Sequence, residues 1–108
     1  AEMYQLCQAE RPAKIGFYDQ IALKVELATY GELMARLNAA GTPFREINHG
    51  YCKSIYATSP DGLVVEFTAD PPDAAAIDAA RRKDAHAELE RWLAGDRRTN
   101  NTLRHRTF

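Results

Sequence analysis

The chain has 108 residues, of which 45% are hydrophobic and 27% are charged, and this is the balance of one folded domain rather than of a disordered or fibrous chain. Its apolar runs are far shorter than the roughly 20 residues that cross a bilayer. With a net charge of −1, the chain has no overall positive electrostatic potential that would attract nucleic acid. We therefore expect neither a membrane span nor a nucleic-acid partner.

The two cysteines, Cys7 and Cys52, are too few for a disulfide framework and do not have zinc-site spacing. The N-terminus is polar and lacks the features of a signal peptide. These observations predict reduced thiols and a cytoplasmic location. Because the chain begins at Ala1 rather than at Met, we also expect it to start inside a longer gene product.

The first elements in chain order are a short strand and a linker in residues 1–16, followed by a longer strand in residues 18–27. The longer segment alternates, which predicts a strand with one buried face. Thr29 and Glu32 then fit a capping box at the start of a helix, and Gly41 followed by Pro43 fits its end. The predicted buried face of the longer strand consists of Ile21, Leu23, Val25 and Leu27.

Three further strands are predicted in residues 44–47, 51–58 and 63–69, with turn chemistry in residues 59–62 between the last two. The fold class is therefore α+β, with the order β-α-β-β-β over residues 17–70. Asp73 is predicted to cap a C-terminal helix within residues 71–95, which is followed by a polar, basic tail, residues 96–108.

Two polar residues in strands are candidates for a site. Glu66 lies within an otherwise apolar run, where a carboxylate is costly to bury unless a cation, a metal ion or water compensates it. Gln20 opens the first strand, and its amide oxygen can bind a metal or a ligand. The alternatives are a solvated sheet face for Glu66 and an ordinary strand-edge amide for Gln20.

The pattern of Ser54 and Tyr56, then Asp61 and Gly62, then Glu66, placed after a β-α-β unit, resembles the vicinal oxygen chelate superfamily. The superfamily includes glyoxalase I, bleomycin-resistance proteins and extradiol dioxygenases. The resemblance covers residues 17–69, about half of the chain. It implies a single βαβββ module, which would need a second module to enclose its site. That module would come from a missing N-terminal half, of which residues 1–16 would be a remnant, or from a second copy in a homo-oligomer.

The resemblance also implies site residues. Gln20 and Glu66 correspond to metal ligands, although the superfamily most often has His at the first of these positions. Tyr56 and His49 correspond to catalytic residues beside the substrate. The implied cofactor is a divalent metal, with Fe(II) favoured over Zn(II), Ni(II) or Mn(II).

The function implied is a metal-dependent enzyme, most like an extradiol dioxygenase that cleaves a catechol-type ring. Tyr56 and His49 favour this reading, whereas Gln20 in place of His favours the first alternative, a glyoxalase-like lyase or isomerase. The second alternative is a metal-free protein of the bleomycin-resistance type that binds a small molecule. In that case Glu66 would be a counter-charge, and Tyr51 or Tyr56 would stack on the ligand.

Overall fold

The computed structural model describes residues 20–108, which form a mixed four-stranded sheet and two helices. The predicted strand and linker in residues 1–16, together with Cys7, lie outside the described residues. The predicted order β-α-β-β-β followed by a helix is confirmed. The elements are β1 (Gln20–Lys24), α1 (Leu27–Ala39), β2 (Phe44–Asn48), β3 (Lys53–Thr58), β4 (Val64–Ala69) and α2 (Ala74–Leu93). Neither helix combines the length and the apolar character that crossing a membrane requires.

The sheet has the strand order β1-β4-β3-β2, so the first strand pairs with the last one. β1 runs parallel to β4, whereas β2, β3 and β4 are joined by antiparallel pairing. The predicted turn between β3 and β4 is confirmed: Gly62 has a φ of 91°, and its N–H donates to the carbonyl oxygen of Ser59 at 2.9 Å. A positive φ at this position is what glycine supplies without steric cost.

The hydrophobic core lies between α1 and one face of the sheet. Its fully buried members are Tyr30, Ile55 and Ala69, from α1, β3 and β4 respectively. α1 covers the sheet face that carries Ile55, and half-buried apolar side chains pack around this buried centre. These surrounding residues are Val25, Leu33, Met34, Leu37, Phe44 and Phe67.

The end of α1 is as predicted. Gly41 has a φ of 65°, and its N–H donates to the carbonyl oxygen of Asn38 at 3.1 Å. The N–H of Thr42 donates to the carbonyl oxygen of Leu37 at 3.0 Å. This pair of bonds is a Schellman motif, which satisfies carbonyl groups that the last helical turn leaves without partners.

The predicted capping box of α1 is wrong. The helix begins at Leu27, its N-cap is Glu26, and Thr29 lies inside the first turn. The reason lies in the preceding residue: the N–H of Val25 donates to the carbonyl oxygen of Thr68 at 2.9 Å, which holds the chain on β4 just before it turns. The helix starts just after that contact, and its N-cap lies three residues before the predicted one.

The predicted first strand is wrong in its length and in its buried face. β1 ends at Lys24, and Leu27 already belongs to α1. Ile21 and Leu23 are 53% and 48% exposed, and of the predicted apolar set only Val25 packs against the core. The cause is position in the sheet: among the described strands β1 lies at an edge, and the core under α1 is built mainly on β3 and β4.

Candidate functional site

The candidate site lies on the sheet face opposite α1, which we call the open face. Cross-strand partners point to the same side of a sheet, so the register alone places side chains together. Glu66 of β4 is the partner of Ala22 on β1 and of Tyr56 on β3. Tyr56 is in turn the partner of Arg45 on β2. These four residues lie in register across the four strands, on the face that the core does not use.

Gln20 and Glu66, the two candidate metal ligands, are in direct contact. Gln20 Nε2 donates a hydrogen bond to Glu66 Oε2 at 3.0 Å. Gln20 is exposed, whereas Glu66 is half-buried, so Glu66 is neither a core residue nor a freely solvated one. The parallel pairing of β1 and β4 produces the contact, because it brings together residues that are 46 positions apart in the chain.

Tyr56 and His49, the two candidate catalytic residues, are also in contact. His49 Nε2 lies 3.1 Å from the Tyr56 hydroxyl oxygen. His49 belongs to the loop between β2 and β3, as predicted. The loop turns through Gly50, whose φ is 81°, and the N–H of His49 donates to the carbonyl oxygen of Cys52 at 2.9 Å.

The electrostatic surroundings of Tyr56 favour its neutral phenol. Burial raises the pKa of Tyr56, and the neighbouring Glu66 carboxylate raises it further. The guanidinium of Arg45 lies 5.5 Å from the centre of the Tyr56 ring, within cation–π range. At neutral pH the site therefore presents a protonated phenol between an acidic side chain and a basic one.

Glu66 offers carboxylate oxygens, whereas Gln20 turns its Nε2 toward them and would add its amide oxygen only after the amide group rotates. With that rotation the two side chains would suit part of the coordination shell of a divalent cation. No group of three or more His, Cys, Asp or Glu side chains in residues 20–108 is arranged to hold a metal ion. Gln20 and Glu66 would therefore supply two ligands of such a cation. The remaining ligands would come from water, from a substrate or from outside residues 20–108.

No family model, curated protein or solved structure matches this chain. The assignment of the site therefore rests on the sequence pattern and on the geometry above.

Arg45 lies beside Tyr56 on this face and was not among the predicted site residues. Its signal lies in the pairing of β2 with β3: a hairpin that turns at His49 and Gly50 places Arg45 opposite Tyr56. The sequence analysis also gave Ser54 no role. Ser54 is fully buried, and its hydroxyl has no hydrogen-bond partner within the described part of the chain.

Cavities between α2 and its neighbours lie away from these site residues. The larger, of about 960 Å³, separates α2 from residues 99–106, and a smaller one of about 210 Å³ lies between the start of α2 and the end of β4. Neither is lined by Gln20, Glu66 or Tyr56, and both reach Tyr51. Within residues 20–108, the candidate site is therefore separate from both of these cavities.

Proposed function

We propose that this chain is one βαβββ module of a metal-dependent vicinal-oxygen-chelate enzyme that acts on a catechol-type substrate. The observation that carries the proposal is the connected row on the open face. Gln20 contacts Glu66, Glu66 is the cross-strand neighbour of Tyr56, and Tyr56 contacts His49. Four residues from three strands and one loop converge, although they are spread over 47 positions from Gln20 to Glu66.

Each residue of the row has a chemical task in this proposal. Gln20 and Glu66 would hold a divalent metal through their side-chain oxygens, with Fe(II) the preferred ion. When bound, such a metal acts as a Lewis acid that polarises the two neighbouring oxygens of the substrate. The phenol of Tyr56 donates a hydrogen bond to a substrate oxygen. His49 accepts the proton that a substrate hydroxyl releases, since its Nε2 reaches the same region.

Ring cleavage of the extradiol type needs only the catechol and O₂. Both atoms of O₂ enter the product as the carbon–carbon bond beside the two hydroxyls breaks, so no external reductant is consumed. Within this chemistry the protein residues orient the ring and move protons. A glyoxalase-like reaction would use the same row with Zn(II), Ni(II) or Mn(II), and then a ligand carboxylate such as Glu66 would move the proton.

A second module completes the site in this proposal. Gln20 and Glu66 would supply only two ligands of a metal ion, and every residue of β1 is exposed. The second half is either another copy of this chain or a preceding module. Both arrangements place a second surface over Gln20 and Glu66.

The second candidate function is metal-free binding of a small cationic aromatic molecule. The hydrogen bond between Gln20 Nε2 and Glu66 Oε2 favours it, because this bond satisfies both side chains without an ion. Glu66 would then be the counter-charge of the ligand, and the ring of Tyr56 a stacking surface. The same row thus supports either function, and metal content separates them.

The test is the metal content of the purified protein and of the variant Glu66→Gln. The protein is prepared without chelators and without oxygen, and metals are counted by elemental mass spectrometry. We expect a near-stoichiometric divalent metal in the wild type, lost in Glu66→Gln and retained in the control Glu32→Gln, which removes an exposed carboxylate from α1. A wild type without metal that binds a cationic aromatic dye would reject the enzyme and support the second candidate.

A further inference from the structure

The C-terminal part of the chain returns to the loop that carries His49. We call residues 99–106 the strap. Its Asn101 Nδ2 donates to the carbonyl oxygen of His49 at 3.4 Å, which joins residues 52 positions apart. The strap ends at Arg106, whose guanidinium pairs with the carboxylate of Asp73, the N-cap residue of α2, at 2.6 Å. The strap therefore connects α2 to the His49 loop.

The closest approach between strap and loop is at Gly50. A Cβ atom placed on Gly50 would collide with the carbonyl group of Leu103. Gly50 is also buried and has a φ of 81°, a conformation that other residues adopt at a cost. Backbone meets backbone here, so the fit of strap and loop depends on the absence of a side chain at this one position.

The loop is held from its other side by α2. The guanidinium of Arg81 lies 4.3 Å from the centre of the Tyr51 ring, and Tyr51 stacks on His49 with ring centres 5.8 Å apart. Residues 49–51 are thus contacted by α2 through Tyr51 and by the strap through His49 and Gly50. These contacts come from outside the sheet that carries Tyr56.

The loop that carries His49 also has two internal hydrogen bonds. The N–H of His49 bonds the carbonyl of Cys52, and the N–H of Gly50 donates to Asn48 Oδ1 at 2.8 Å. Both bonds lie within residues 48–52, so neither joins the loop to α2 or to the strap. A displacement of about 1 Å would take His49 Nε2 out of hydrogen-bond distance of the Tyr56 hydroxyl, since donor–acceptor distances beyond roughly 3.5 Å contribute little.

We propose that the strap positions His49: by docking on Gly50 and anchoring at Asp73, it holds the loop where His49 Nε2 reaches the Tyr56 hydroxyl. Gly50, Asn101 and Arg106 are then positioning residues, remote from the substrate. The inference rests on the proposed function only for the use made of His49. The docking and its effect on the imidazole are measured without any substrate.

The experiment compares Arg106→Gln with Arg104→Gln. Both changes remove one positive charge from the strap, but Arg106 is bonded to Asp73, whereas Arg104 is exposed and contacts the adjacent His105. The readout is the ¹⁵N and ¹H NMR signals of the His49 ring in the whole protein, assigned with a His49→Gln sample. We expect these signals to shift or broaden in Arg106→Gln and to stay in place in Arg104→Gln, with the circular dichroism of both variants unchanged.

Gly50→Ala and the double variant Asn101→Ala/Arg106→Gln extend the test. Both should disturb the His49 signals at least as much as Arg106→Gln does. If Gly50→Ala does not fold, the double variant is the deciding test. Unchanged His49 signals in a folded double variant would overturn the proposal. If the signals move as expected but no substrate is turned over, the strap proposal stands and the proposed enzyme function falls. If turnover is found, we expect kcat to fall at least tenfold in Arg106→Gln with metal content unchanged.

Discussion

Glu66 carries its charge on the open face beside neutral hydrogen-bonding groups. Gln20 donates an amide N–H to it, and the phenol of Tyr56 lies across the strand pair. An amide and a phenol stabilise a carboxylate without cancelling its charge, and a half-buried charge attracts cations more strongly than a solvated one. This favours the arrival of a metal ion or a cationic ligand at this position.

The proton-transfer role of His49 is tested by His49→Gln. We expect kcat for catechol oxidation, followed by oxygen uptake, to fall by about two to four orders of magnitude, the usual contribution of a positioned general base. The metal content should not change, because His49 is not among the proposed ligands. His86→Gln is the matched control, since His86 is exposed on α2. Equal activity in both variants would remove His49 from the mechanism.

The buried phenol of Tyr30 makes the stability of the fold depend on pH in the alkaline range. Burial raises the pKa of Tyr30, and its hydroxyl donates to Glu46 Oε1 at 3.0 Å, which raises the pKa further. The unfolded state therefore releases this proton first, at a pH of about 10. The stability that comes from the buried neutral phenol is complete below that pH and is lost as the pH rises above it.

We accordingly predict that Tyr30→Phe flattens the pH dependence of stability. Urea unfolding from pH 7 to pH 11 should show a decline for the wild type above about pH 10 and a smaller decline for the variant. At pH 7 the variant should lose about 1 kcal/mol, the typical net value of one hydrogen bond. An equally steep alkaline decline in Tyr30→Phe would assign the effect to other tyrosines.

At the scale of elements, α1 is associated with two glycines whose positions require different backbone conformations. Gly31 lies inside the helix and Gly41 follows its end, and a Cβ at either position would meet nothing within 4 Å. They differ in backbone conformation, because only Gly41 has a positive φ, of 65°. A methyl group therefore fits at both positions. The effect of an alanine substitution depends on whether alanine readily adopts the backbone conformation found there.

We predict that Gly31→Ala stabilises the protein by about 0.5–1 kcal/mol, since alanine is the better residue within a helix. Gly41→Ala should destabilise it by about 1–2 kcal/mol, the cost of a left-handed conformation for a residue with a Cβ. Thermal or urea unfolding of the two variants measures both values. Changes of the same sign would contradict this account of the helix end.

The sequence predicted elements best where local chemistry decides their limits. The C′ glycine of α1 and the turn at Gly62 were both predicted correctly, because positive φ is a local demand. The start of α1 was predicted wrongly, since the contact of Val25 with Thr68 is made across the sheet and no local pattern reports it. Alternation likewise predicted β1 as a strand but could not show that it lies at an edge of the described sheet, where Ile21 and Leu23 stay exposed.

The residues of the candidate site likewise depend on contacts across the sheet that local sequence patterns do not report. The contact of Gln20 with Glu66 requires parallel pairing of the first and last strands, and the resemblance, rather than the periodicity, suggested it. Arg45 became visible only with the register of β2 on β3. The strap was expected to be a polar tail, because nothing in its composition shows that Arg106 and Leu103 contact residues far back in the chain.

The molecule as a whole exposes apolar surface along one edge. Ile21 and Leu23 of β1 and Leu27 at the start of α1 are each at least 41% exposed, next to a strand edge without a partner in the described residues. Such an edge pairs readily with another chain. This is the surface on which the proposed second module, or second copy, would lie.

We predict that the protein self-associates through this edge. Sedimentation velocity over a concentration series should show a dimer for the wild type and a monomer for Ile21→Lys/Leu23→Lys, because two buried charges prevent the pairing. Leu93→Lys on α2, where Leu93 is 73% exposed, is the control and should remain dimeric. A wild type that is monomeric throughout would contradict self-association and require a separate second module.

The pairing of β1 with β4 has a consequence for the order of folding. The hairpins β2–β3 and β3–β4 join segments close in sequence and can form early, whereas β1 must wait for a strand that is made more than 40 residues later. On the ribosome, β1 emerges first and is paired last. We therefore expect Gln20 and Glu66 to meet only when the sheet closes, so that a chain in which β1 is still unpaired lacks their contact.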